Sequence, residues 1–305
     1  MKIYDSILFF NEIDILEIRM NLLNPYVDFF IISECDTTFS GLPKKFIFDE
    51  NSERFEKFKD KIIHVKNYNS GVVDVKNIFQ DRKKDIMDSI INEYEKIKYT
   101  YHTNGGAEHW CRDYLHREFI KLGMENCEED DIIIFGDADE IPNLEKIQDI
   151  KNINSDDFYC FLQDNNNFFV NNIASTNWKG NIMSRYKNIR EKTLNSLRIE
   201  SRHEDPEKFI YITNGGWHLS FMGGADRVKE KIKSYGHQEF NNSSILDSIE
   251  NNINNNKDLF NRNNQSYHSK MEEFYFEDMK KVDIDGYFPE NIVSLVRDKF
   301  KYLIK

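Results

Sequence analysis

Asp137, Asp139 and Glu140 fall within four positions, directly behind the apolar run 132–135 (IIIF) and a glycine, Gly136. Two aspartates in Asp-x-Asp spacing at the mouth of a buried strand raise each other's pKa unless a cation or a donor network lies between them. A divalent metal is the simplest such cation. Oxygen ligands suit Mg2+ or Mn2+, which keep part of their coordination for water and substrate phosphates. The competing reading is a surface turn in which the two aspartates cap a helix begun by NLEKIQDI, residues 143–150. The preceding strand favours the metal, because open α/β sheets bind ligands outside the carboxyl ends of their strands. Asp283 and Asp285 repeat the spacing with no buried strand before them. An EF-hand is excluded, since Pro142 stands where that loop needs glycine.

The second polar concentration is NGGWHLSFMGG, residues 214–224. Its glycine pairs permit close backbone approach, so His218 reads as a metal ligand or general acid/base, or else as a ring packed beside Trp217. Arg117, after His116, offers a guanidinium to phosphate oxygens or a helix ion pair. Asn11 and Glu12 follow the first strand and Glu34 the second, where they would hold a base or ribose, or cap helices. The chain has no G-x-x-x-x-G-K-[ST], no G-x-G-x-x-G after a strand and no G-x-S-x-G, so P-loop, dinucleotide and elbow-hydrolase chemistries are not indicated.

The elements that must position these groups alternate. KIYDSILFF (2–10) reads as a buried strand, with Asn11 as N-cap of a helix carrying Ile13, Leu16, Met20 and Leu23 and ended by Pro25. Strands follow at 27–33 and 61–65, helices at 80–98 and 109–122, then the strand leading to the acids. This order predicts an α/β fold with a mostly parallel sheet and crossover helices. After residue 155 the segments DFYCFLQ, NNFFVNN, NIMSRY, FIYIT and WHLSF are short and aromatic, as antiparallel or mixed strands are. A helix enters through Gly223 and Gly224, and 241–270 reads as a polar loop without apolar period. No repeat or inter-domain linker interrupts the chain.

A formal charge of −12 over 305 residues weighs against nucleic-acid binding, which needs a basic field. Four cysteines without C-x-x-C spacing fit a reducing compartment. No transmembrane-length run or secretory segment is present, and a cytoplasmic protein is expected.

Taken in order, SILFFNEIDILEIRMNLL, VDFFIISECDTTFSGLPK, IIIFGDADEIP, GGWHLSFMGG and KIKSYGHQEFN resemble the blocks of glycosyltransferase family 17. That family includes the N-acetylglucosaminyltransferase that adds the bisecting GlcNAc, together with bacterial and viral members. The resemblance implies a GT-A type fold over 1–240, with a Rossmann-like nucleotide half (1–155), an acceptor-side half (156–240) and an extension at 241–305. It implies a UDP-sugar donor, UDP-GlcNAc first, a glycan or glycolipid acceptor, and transfer with inversion. Mn2+ or Mg2+ would be held by Asp137, Asp139 and His218, with Asp139 the direct ligand and Asp137 nearer the ribose and the metal's water shell. Glu239, His237, Asp164 and Glu140 are the candidate bases, and the sequence does not choose among them. The alternative is an inactive carbohydrate-binding or scaffolding protein of the same fold, in which the Asp pair or the His would be expected to be lost.

Overall fold

The computed structural model describes residues 1–68, 86, 88, 90–92, 95, 108–147, 149–154, 156–204, 206–262, 266–267 and 273–305. One sheet of eleven strands runs through these residues.

Near-continuous apolar runs explain the first half. β1 (Ile3–Phe9), β2 (Phe29–Cys35), β3 (Ile62–Asn67) and β4 (Ile132–Asp137) pair in parallel in the order β3-β2-β1-β4. Ile132 and Ile134 of β4 face one core, Ile133 and Phe135 the other, so the sheet is buried on both faces and needs helices on each. The helix α1 (Ile13–Leu23) supplies the crossover from β1 to β2 and covers the first face. On the other face lie α2 (Glu108–Glu118), whose Leu115 leads into a 3-10 segment with Phe119 and Leu122, and α3 (Leu194–Ile199). Of the helix expected over 80–98, Ile86 and Ile90 are helical and buried, and the positions between 80 and 98 without a described placement lie outside the described residues.

Past β4 the pairing becomes mixed. The short β5 (Glu140–Pro142) follows the acidic turn, β6 (Phe158–Asn167) and β8 (Phe209–Ile212) run parallel, and β7 (Asn172–Arg185) is antiparallel to both β4 and β6. Then β9 (Gly216–Ser220) lies parallel to β6 and antiparallel to β5, while β10 (Ser266–Tyr267) and β11 (Glu273–Lys281) extend the sheet along β7. The segment NNFFVNN is the turn between β6 and β7, with Phe168 at φ 69°, and forms no strand of its own.

Two local expectations are corrected. NLEKIQDI forms 3-10 turns at Leu144–Lys146 and Ile150–Asn152, capped by Asn143 and Asp149, so Asp137 and Asp139 cap no helix. The stretch 241–270 contains a helix. After α4 (Ala225–Ser234) comes α5 (Ser243–Asn255), N-capped by Asn242, whose side chain accepts from the Ile245 amide at 3.1 Å. Ile245, Leu246, Ile249 and Ile253 form its apolar stripe, and Ile249 packs with Val228 and Ile232 of α4 in a third core. The asparagines around that stripe hide its period. A last helix, α6 (Glu290–Lys299), packs Ile292, Val293 and Val296 into the core shared with α1.

Candidate active site

Parallel pairing sets Leu8 of β1 beside Asp137 of β4, so the turn after β1 and the acidic turn after β4 open on the same end of the sheet. A cleft of about 630 Å³ lies there. Position 136 of β4 takes glycine because a Cβ there would lie 2.4 Å from the Asn181 amide and 2.9 Å from the Glu140 carboxylate.

The three acids meet three different environments. Each oxygen of Asp137 has its own guanidinium, Arg117 at 3.1 Å and Arg198 at 2.8 Å. Asp139 points at Lys231 of α4, whose Nζ is 2.6 Å from Oδ2, and at His218, whose Nε2 is 3.6 Å from the same oxygen. Burial opposes its ionisation, yet Lys231 and His218 prevail and hold its carboxyl far below the usual range. Glu140 is fully buried beneath the turn, gripped through both oxygens by Arg198 and further bonded by Arg202 and the Trp178 indole. Against the cost of burial, Arg198 and Arg202 depress its pKa.

His218 is delivered by β9, where it lies opposite Glu140 of β5. Its ring stacks on Trp178 at 4.3 Å between centroids, and Nδ1 is buried without a hydrogen-bond partner. Asp139 Oδ2 thus faces both His218 and the Lys231 ammonium, which already supplies it with a positive charge. Among the described residues no group of three or more His, Cys, Asp and Glu side chains forms a cation site. With both Asp137 oxygens engaged by arginines, the three-ligand set Asp137, Asp139 and His218 is not assembled in this arrangement.

The remaining sequence candidates scatter. Glu12 lines the cleft and turns back to accept from the Phe10 and Asn11 amides, and burial raises its pKa despite Lys231 at 3.9 Å. Asn11 does not cap α1, since Glu12 holds the cap position and makes no side-chain cap bond, and Asn11 is not among the cleft residues. Glu34 is fully buried away from the cleft. It accepts from Lys44 and the Ile47 and Phe48 amides and contacts His64, which anchors the loop between β2 and β3. Asp164 also lies outside the cleft and accepts from the Tyr287 hydroxyl at 3.1 Å. Glu239 stays behind His237 with its Oε1 2.7 Å from Nδ1, and of the four candidate bases His237 is the one that lines the cleft.

Apart from Arg117, the cations of the cleft were not singled out by the sequence. Arg198, Arg202 and Lys231 come from separate helical segments, and only LRIESR, placing two arginines one helical turn apart, carries a legible signal. Burial and its neighbour Arg198 push Arg202 down to about 10, the mark of crowded positive charge. Lys179, also in the cleft, has its pKa lowered by burial. The cleft thus combines an Asp–His pair with basic side chains beside a floor of Asn165, Asn167 and Ser220.

No curated protein and no solved structure matches the chain. Among protein families, Glycosyltransferase family 17 matches over residues 1–98 and 74–305, two overlapping spans that together reach from the first residue to the last. Its match covers both the parallel strands that carry the acidic turn and the mixed strands that bring His218 to it, and the chain belongs to glycosyltransferase family 17.

Proposed function

We propose that the protein transfers a sugar from a UDP-sugar, UDP-GlcNAc first, to a hydroxyl of a glycan or glycolipid, with inversion and with Mn2+ or Mg2+, on a GT-A type fold. The observation that carries this reading is the Asp139 carboxylate facing His218 and Lys231 in a cleft whose walls carry Arg117, Arg198 and Arg202. Sugar transfer from a nucleoside diphosphate builds negative charge on the departing diphosphate, and prearranged cations in a water-poor cleft stabilise that charge.

Asp139 and His218 would hold the metal, and diphosphate oxygens and water would complete a coordination that Mg2+ or Mn2+ does not take from protein alone. Such an ion supplies Lewis-acid neutralisation of the diphosphate. Lys231, bound to the same carboxylate, adds a positive charge beside it. Arg117 and Arg198 fix Asp137 and present guanidinium edges to phosphate. At the end of β1, Phe10, Phe39, Trp110 and Tyr114 line the cleft with aromatic surface suited to a nucleobase. His237, steadied by Glu239, is proposed to take the acceptor proton.

Calorimetry with UDP, GDP and CMP in the presence of Mn2+, alongside an assay for UDP released from UDP-GlcNAc, tests the reading. Preferential binding of GDP would replace the donor, and absence of binding by every nucleotide would remove the glycosyl-transfer reading altogether.

A further inference from the structure

Beyond the arginine-lined part of the cleft lies an asparagine floor, beside the Glu273 carboxylate, on which two acceptor atoms are unused. Asn165 and Asn167 of β6 are 2% and 1% exposed, both line the cleft, and the Oδ1 of each has no hydrogen-bond partner. Leaving such a buried acceptor unmet is unfavourable. The orientation of one amide follows from its neighbours. The Ser175 hydroxyl donates to Glu273 Oε1 at 2.6 Å, so toward Asn165 it can only accept, and it takes Nδ2 at 3.0 Å. The Asn165 carbonyl oxygen is therefore the group left over.

The register of β6 against β9 sets Asn165 beside His218 and Asn167 beside Ser220. Neighbouring strands lie about 4.8 Å apart, so Asn165 adjoins His218, with Asn167 two residues further along β6. Two buried carbonyl acceptors select a ligand rich in O–H or N–H donors, and the Glu273 carboxylate beside Asn165 disfavours an anion. Lysines and arginines do not reach it from β6 or β9, and the nearby Arg262 is committed to Asp258 at 2.6 Å and to the Tyr275 hydroxyl at 2.7 Å.

We infer that Asn165 and Asn167 form a pyranose subsite, in which hydroxyl or acetamido hydrogens of a neutral sugar donate to the two Oδ1 atoms beside the reacting centre. This rests on the glycosyl-transfer reading above. The sugar is either the one being transferred or the terminal residue of the acceptor.

The test compares wild type with Asn165→Ala and Asn167→Ala in three titrations with Mn2+ present. The probes are UDP, UDP-GlcNAc, and free N-acetylglucosamine or methyl mannoside added to the UDP-loaded protein. Each variant is expected to bind UDP as wild type does while losing roughly tenfold in a sugar-dependent affinity. Loss of the gain of UDP-GlcNAc over UDP assigns the subsite to the transferred sugar, and loss of free-sugar binding assigns it to the acceptor. Unchanged sugar affinities in both variants, or an equal loss for UDP itself, would overturn the inference. Wild-type protein that binds no UDP overturns the reading beneath it instead. Melting curves check the fold, and if Asn165→Ala unfolds through its tie to Ser175, Asn167→Ala alone decides.

Discussion

Arg19 of α1 and Asp5 of β1 form an ion pair with both side chains at 0% exposure, Nη2 lying 2.6 Å from Oδ1 and Nε 2.8 Å from Oδ2. The remaining Nη1 donates to the carbonyls of Asp137 at 3.2 Å, Ala138 at 3.4 Å and Glu140. One guanidinium thus ties the first strand and its helix to the acidic turn from below. Arg19→Ala should cost about 3–5 kcal/mol in denaturant unfolding, because it leaves the Asp5 charge buried and unpaired. Combining Arg19→Met with Asp5→Leu should recover much of that stability, yet UDP binding should stay weaker than wild type because the turn has lost its donors. A stable double variant with wild-type UDP affinity would show that the clamp does not position the site.

Metal removal separates the two kinds of cation in the cleft. Protein treated with EDTA is expected to bind UDP at least about tenfold more weakly, and Mn2+ should restore it. Asp139→Asn should abolish that restoration while the protein stays folded. Calorimetry in chelator that returns the full affinity would assign diphosphate binding to Lys231 and the arginines alone.

For His218, ligand and core roles predict opposite results. As a ligand it should weaken Mn2+-dependent UDP binding by about tenfold when changed to Ala, with little change in the melting temperature of metal-free protein. A packed ring on Trp178 would cost roughly 1–3 kcal/mol and leave UDP affinity intact. We expect the first outcome. Early melting with normal Mn2+ and UDP binding would mark His218 as a core residue.

Asp164 gives a pH test outside the cleft. Burial raises its pKa, only partly countered by the Tyr287 hydroxyl. A carboxyl whose folded pKa is raised holds its proton more firmly when folded, so it favours folding at low pH and loses that contribution as pH rises through the folded value. At neutral pH the ionised group is a liability. Asp164→Asn should therefore melt higher than wild type at pH 7, with the difference shrinking as pH falls into the carboxylate range, and sugar transfer should be unaffected. A variant that melts no higher at pH 7, or that loses transfer, would contradict the placement of Asp164 outside the site.

What was legible in the sequence is what depends on neighbours along the chain. Near-continuous apolar runs in KIYDSILFF and IIIF specify strands buried on both faces, and Ile13, Leu16, Met20 and Leu23 specify the crossover helix by their period. The acidic turn and His218 stood out by type and spacing, and the ordered blocks carried the family. Long-range pairing decided the rest. Glu140 sits in the same short motif as Asp139, yet β5–β9 pairing and Arg198 bury it as a structural anion while Asp139 faces the cleft. Arg117, Arg198, Arg202 and Lys231 converge from helices up to 114 positions apart in numbering, from 117 to 231, and apart from the i, i+4 pair Arg198 and Arg202 nothing in local sequence ties them together. Glu34, equally placed at a strand end, was drawn into the loop beside β2 because Lys44 and two amides satisfy it there. A side chain's type is fixed by the sequence, but its charge partner is set by which elements the sheet brings alongside it, and in a buried cleft that partner determines whether a carboxylate meets solvent, a ligand or the core.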